Sequence, residues 1–185
     1  MESSPGTSAA AAAELDAAEA ARDRLVARLD VPHGFYVAIA AAIAVQIASA
    51  AIGISSQTGR GLLLLAAGGA VFALVAALEV ARFRRRNGVW LAGLASRVAF
   101  GGATAASSVY VAAMGGAAWA AFAEAWWLVV VASVAGGAGY ALCGRRWLRL
   151  YRADPEAHGR PDSTALLALV ASGAVIGLLM LVIGR

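Results

Sequence analysis

The chain has 185 residues, of which 61% are hydrophobic and 14% charged. Its mean hydropathy is +0.74, where soluble domains are roughly half apolar and a quarter charged. These values exclude an extended soluble enzyme, a disordered chain and a disulfide scaffold. The net charge of +4 rests on 15 basic residues, all of them Arg. They gather beside apolar runs, which points to membrane orientation rather than to a nucleic-acid partner.

Residues 1–33 differ in composition from everything that follows. Met1–Ser8 is Ser/Pro/Gly-rich and is expected to be disordered. From Ala9 to about Asp30 the Ala-rich run predicts a short charged helix. Glu14, Asp16 and Glu19 come early and Arg22, Arg24 and Arg28 late, the order that suits the helix dipole. This segment is expected to lie on the cytoplasmic membrane surface, and Pro32 and Gly34 mark the break before residues 34–185, the transmembrane bundle. Ala48-Ser49-Ala50 resembles a signal-cleavage site, but the charged region ahead of Phe35 is too long and too acidic for a signal peptide.

Apolar runs at 35–54, 61–81, 119–142 and 164–183 are each long enough to cross a ~30 Å hydrocarbon core, which needs about 20 residues. Between the second and third lies the weakly apolar run 98–118. Arg placement decides whether it crosses. With four spans, the group Arg82, Arg84, Arg85, Arg86, Arg97 and the group Arg145, Arg146, Arg149, Arg152, Arg160 would face opposite sides, and neither orientation would satisfy the positive-inside bias. If 98–118 crosses, thirteen of the 15 Arg share the cytoplasmic side and only Arg60 and Arg185 lie outside. The prediction is an all-α polytopic bundle of five spans in a bacterial cytoplasmic membrane, N-terminus in and C-terminus out. Four spans plus a re-entrant 98–118 is the alternative.

The weak run carries Thr104, Ser107 and Ser108 at helical spacing together with Gly101, Gly102, Gly115 and Gly116. It is expected to turn near Gly115–Ala118 into the next span and to occupy the centre of the bundle, where small residues permit close approach. Ser133/Gly137 and Gly173/Gly177 read as internal packing pairs.

No Walker loop, HExxH, CxxC or nucleophile elbow is present, and His33 and His158 have no carboxylate cluster beside them. Neither a metal nor a cofactor is expected. The lone Cys143 reads as a structural thiol. Polar groups inside the spans are the remaining chemical leads, because charge in hydrocarbon is costly and faces an interior. Gln46 near the middle of the first span needs a partner, with Ser107 or Thr104 in reach. Glu79 is expected to pair with Arg82 one helical turn on. Glu124, placed five residues inside its span among Trp119, Trp126 and Trp127, is the one candidate acid or base. Arg84, Arg85, Arg86, Arg145, Arg146 and Arg149, mixed with aromatics, suit anionic lipid head groups or phosphate.

The charged helix ending ARLDVPHGFY, the Arg run followed by Asn87-Gly88-Val89, and GRRWLRLYR at 144–152 give the chain a look of kind. Together with the Lys-free, Ala/Arg-rich composition, they resemble small multi-pass membrane proteins of unknown function from high-GC actinobacteria. The resemblance covers about Ala20 to Arg152 and implies a membrane location without an activity. The leading expectation is a non-enzymatic accessory or transport-related membrane component, with a membrane protein partner or a second copy. The alternatives are a membrane-embedded enzyme acting on a lipid or isoprenoid and a small transporter or channel.

Overall fold

The structure, a computed structural model, describes residues 10–11, 13–18, 20–21, 24, 28–87 and 103–153. The expected last span, 164–183, and residues 98–102 of the weak run lie outside them, as do Gly173 and Gly177. Those described between 10 and 24 are helical and exposed. Four long helices follow: α1 Phe35–Ser56, α2 Gly59–Asn87, α3 Ala103–Phe122 and α4 Trp126–Ala153. Each is long and apolar enough to cross a membrane, α3 being the least apolar. The described chain is thus a helical multi-pass membrane protein.

Two tight turns build two antiparallel hairpins. Between α1 and α2, Gln57 adopts a left-handed φ of 50° and donates its side-chain amide to the Ile54 carbonyl at 2.7 Å. Thr58 then caps α2, its Oγ1 accepting the Gly61 amide at 3.1 Å. Between α3 and α4, Glu124 sits at φ 57°. Its N–H bonds to Ala121 at 3.2 Å and that of Ala125 to Ala120 at 2.9 Å. This pair of bonds is the Schellman ending, with Glu124 in the left-handed position that usually falls to Gly.

That turn moves the expected helix boundary. The sequence pointed to a break at Gly115–Ala118, yet α3 runs straight through those residues to Phe122. Neither Gly115 nor Gly116 has a positive φ. In hydrocarbon a broken backbone hydrogen bond costs more than the conformational freedom of glycine, so the helix continues until it reaches the aqueous edge.

The first span, not the weak one, holds the middle of the described bundle. α1 packs against all three other helices, while α3 and α4 pair with each other and with α1. Phe35, Ile39, Ile43, Ile47 and Ala51 form a buried stripe at four-residue spacing along α1. Small residues bring the neighbours close. A Cβ on Gly137 would collide with the Ala40 carbonyl oxygen, and one on Gly136 would meet Ile47 and Ala113. Gly53 and Gly61 approach backbone to backbone across the α1–α2 seam, and Gly68 lies against Ser49. Lipid tails are as apolar as leucine, so such close approach, rather than hydrophobic expulsion, is what holds helices together in a bilayer. α3 lacks these features on its outer side, where a Cβ on Gly115 or Gly116 would meet nothing within 4 Å among the described residues.

Serine hydroxyls within α1 are satisfied inside the helix. Ser49 donates to the Gln46 carbonyl, Ser55 to Ile52 and Ser56 to Gly53, all within 3.1 Å. Ser133 of α4 is buried, as the reading of Ser133/Gly137 as a packing pair requires, and its Oγ has no partner among the described residues. Cys143 is half-buried against the core.

Candidate functional site at the arginine-bearing end

The chain direction of the hairpins brings the start of α1 together with the ends of α2 and α4. Both turns lie at the opposite end. α2 and α4, at 29 and 28 residues, are about 42 Å long at 1.5 Å per residue, while α1 and α3, at 22 and 20 residues, are nearer 30 Å. The excess emerges at one end and carries Arg82–Arg86 and Arg145–Arg152. The sequence expected the spans to end at 81 and 142, short of these Arg, but the Arg lie on continuous helix. Arg is a good helix former and its charge suits a helix C-terminus, so the helices run on past their apolar stretches.

Residues 28–34 dock on this end. Leu29 is buried, and its carbonyl accepts the Arg152 guanidinium at 2.7 Å. The Asp30 amide donates to the Asn87 side chain at 2.8 Å, and Asn87 returns a bond to the Asp30 carbonyl at 2.9 Å. Arg86 reaches the Asp30 carboxylate at 3.4 Å. Phe35 packs against Phe83 with ring centroids 6.4 Å apart. The expected domain boundary at residue 33 is therefore bridged by direct contacts.

Between this docked segment and α4 opens a groove of about 810 Å³. Arg145, Arg149 and Arg152 line one wall, with His33 and Tyr36 across from them. Positions 145, 149 and 152 fall on one helical face. Arg146 does not line the groove, and neither do Arg84, Arg85 and Arg86 at the end of α2. Arg152, absent from the sequence candidates, joins the wall; its i+3 spacing from Arg149 was the available signal.

Glu79 forms the expected pair with Arg82, Oε1 accepting the guanidinium at 2.6 Å. The pair is lopsided, because the Glu79 side chain is 4% exposed and that of Arg82 68%. Glu79 Oε2 is buried without a partner among the described residues.

Gln46 lies in the bundle interior, where its described side-chain partner is Tyr110 on α3. Its Oε1 is buried without a partner among the described residues, so Nε2 donates and the Tyr110 oxygen accepts. Ser107, one of the two partners expected from the sequence, is half-buried one turn away, and Ser108 is exposed. Thr104 falls in the first turn of α3, its side chain outside the described residues.

Glu124 is not inside a span. It occupies the exposed α3–α4 turn, beside the exposed rings of Trp119, Trp126 and Trp127. Along α4 the rise from this turn to Arg149 is about 35 Å, so the candidate acid and the groove stand at opposite ends of the molecule. Trp147 stacks on Tyr151 at 5.2 Å, and the rise from Trp126 to Trp147 is about 31 Å. Aromatic rings therefore flank an apolar band of bilayer thickness.

No protein-family model, curated protein or solved structure matches the chain. Among the described residues no group of His, Cys, Asp and Glu could hold a metal ion.

Proposed function

We propose that this chain is a non-enzymatic component of a bacterial cytoplasmic membrane, an accessory or transport-related subunit whose Arg-bearing end faces the cytoplasm. The observation that carries the reading is the separation of its polar features. An enzyme working on a phosphorylated lipid needs its acid or base and its phosphate-holding Arg around one reacting centre. Glu124 and the Arg groove stand a bilayer apart. The middle of the bundle is filled by glycine-mediated contact between α1 and its neighbours.

Native mass spectrometry of protein extracted gently from its own membranes tests this directly. A protein partner in fixed stoichiometry is the expected result, retained by the Glu124→Gln variant. A lone chain carrying an isoprenoid or lipid that it converts, with conversion lost in Glu124→Gln, would overturn the proposal in favour of a membrane enzyme. A specific observation favours the transporter as second reading: Gln46, Tyr110 and Ser133 place polar groups inside the bundle, two of them with buried atoms that have no partner among the described residues.

A further inference from the structure

We propose that the groove between α4 and residues 30–37 is a dedicated site for one anionic phospholipid, its phosphate held by Arg145, Arg149 and the Tyr36 hydroxyl. The inference rests on the membrane reading above and gives its Arg-bearing end a specific ligand.

The groove carries a surplus of donors. Arg145, Arg149 and Arg152 bring guanidinium groups, which donate and never accept. Arg152 is committed to the Leu29 carbonyl, whereas Arg145 and Arg149 have no ion-pair partner among the described residues. Tyr36 adds a hydroxyl that is buried and has no partner there, and it lies within electrostatic reach of Arg152 and Arg145. Leaving a buried donor unpaired costs about 1–3 kcal/mol. Asp30 is the one carboxylate among the described residues that line the groove, and Arg86 holds it from the α2 side. What this wall lacks is a compact group rich in acceptor oxygens and carrying negative charge. A phosphodiester fits, and Arg can take it in fork geometry.

The rest of the lining selects a lipid over free phosphate. Toward the hydrocarbon the groove continues along Val37 and Leu142, 73% and 63% exposed. Phe35, Val31 and Leu148 form its apolar floor. Charge at the membrane edge passing into an open apolar track is the profile of a head group followed by its acyl chains. The volume also lies within the range of small-molecule sites, roughly 300–1,000 Å³, and exceeds what a lone phosphate would fill.

The test uses the full chain in detergent, titrated with phosphatidylglycerol, phosphatidylcholine or inorganic phosphate and read by native mass spectrometry. One phosphatidylglycerol per chain should be retained over phosphatidylcholine. Arg149→Gln should weaken that retention about tenfold or more, the loss of one charge-assisted bond. Tyr36→Phe, which changes no charge, should weaken it several-fold, while Arg60→Gln at the opposite end should leave it unchanged. Thermal unfolding without added lipid checks that each variant is folded. If Tyr36→Phe binds as wild type, the interaction is diffuse charge attraction and the site is overturned. Inorganic phosphate binding as tightly as the lipid overturns the choice of lipid. Should the chain fail to fractionate with membranes at all, the membrane reading falls first, a result distinct from a membrane-borne chain that shows no lipid preference.

Discussion

At the scale of single residues, the clearest prediction concerns the bond between Gln46 and Tyr110. Tyr110→Phe removes the acceptor and leaves a whole amide unpaired inside the bundle. It should cost about 1 kcal/mol, the usual worth of an interhelical hydrogen bond in a membrane protein. Gln46→Leu removes the amide together with its orphaned Oε1, so its cost should fall below about 0.5 kcal/mol. Thermal unfolding in detergent separates the two, and equal losses would mean that the bond is not made. Glu124 supports an opposite prediction. A side chain held at φ 57° pays for its Cβ by about 1 kcal/mol, so Glu124→Gly should stabilise the turn by about 0.5–1 kcal/mol. A destabilised variant in the same assay would show that the carboxylate matters to the turn. The need of Gln46 for a partner was legible, because an amide in a run of alanine and isoleucine stands out. The partner was not, since Tyr110 reads as an apolar residue until the relative rotation of α1 and α3 is known.

Among the helices, some glycines are seams and others are merely small. Gly137 cannot gain a Cβ without pushing against the Ala40 carbonyl oxygen, whereas a Cβ on Gly116 would meet nothing among the described residues. Gly137→Ala should therefore destabilise the α1–α4 contact by about 1–3 kcal/mol. Gly116→Ala should be neutral or gain up to about 1 kcal/mol from helix propensity. Reversible unfolding of the two variants side by side decides the matter, and equal behaviour would refute the seam. Both positions look alike in the sequence, within AGGAGYAL and MGGAA contexts where small residues abound. The existence of both α1 and α2 and the length of α1 were legible from unbroken apolar runs, but the end of α2 was not, because Arg82–Asn87 continue the helix beyond its apolar run. The α3–α4 boundary was not, because it is set by backbone hydrogen bonding around Glu124 rather than by the glycine pair that usually signals a break. The same shift moved Glu124 from a span into a turn and so separated it from the polar interior.

Across the molecule, the question is whether the two Arg groups share a side. Requiring both Arg groups to share a side demands that the weak run cross, and α3 is long and apolar enough to do so. The structure brings Arg86 to Asp30 and Arg152 to Leu29 at one end. That arrangement yields a prediction about sidedness. In a Cys143→Ser background, single cysteines at Thr58 and Ala123 occupy the two tight turns, and those at Asn87 and Ala153 end the two long helices. A membrane-impermeant maleimide applied to intact cells should label positions 58 and 123, and should reach 87 and 153 only after permeabilisation. Labelling that splits 58 from 123 would contradict the paired hairpins, because both turns must lie at one end of the bundle. A clean reversal, with 87 and 153 labelled from outside, would keep the bundle and overturn the cytoplasmic assignment of the Arg end. It would also remove the physical reason for that assignment, an anionic leaflet that attracts each basic residue by about 1 kcal/mol. A reporter fused after Arg185 extends the test to the expected span at 164–183: activity outside the cell supports a fifth crossing, and activity in the cytoplasm excludes it.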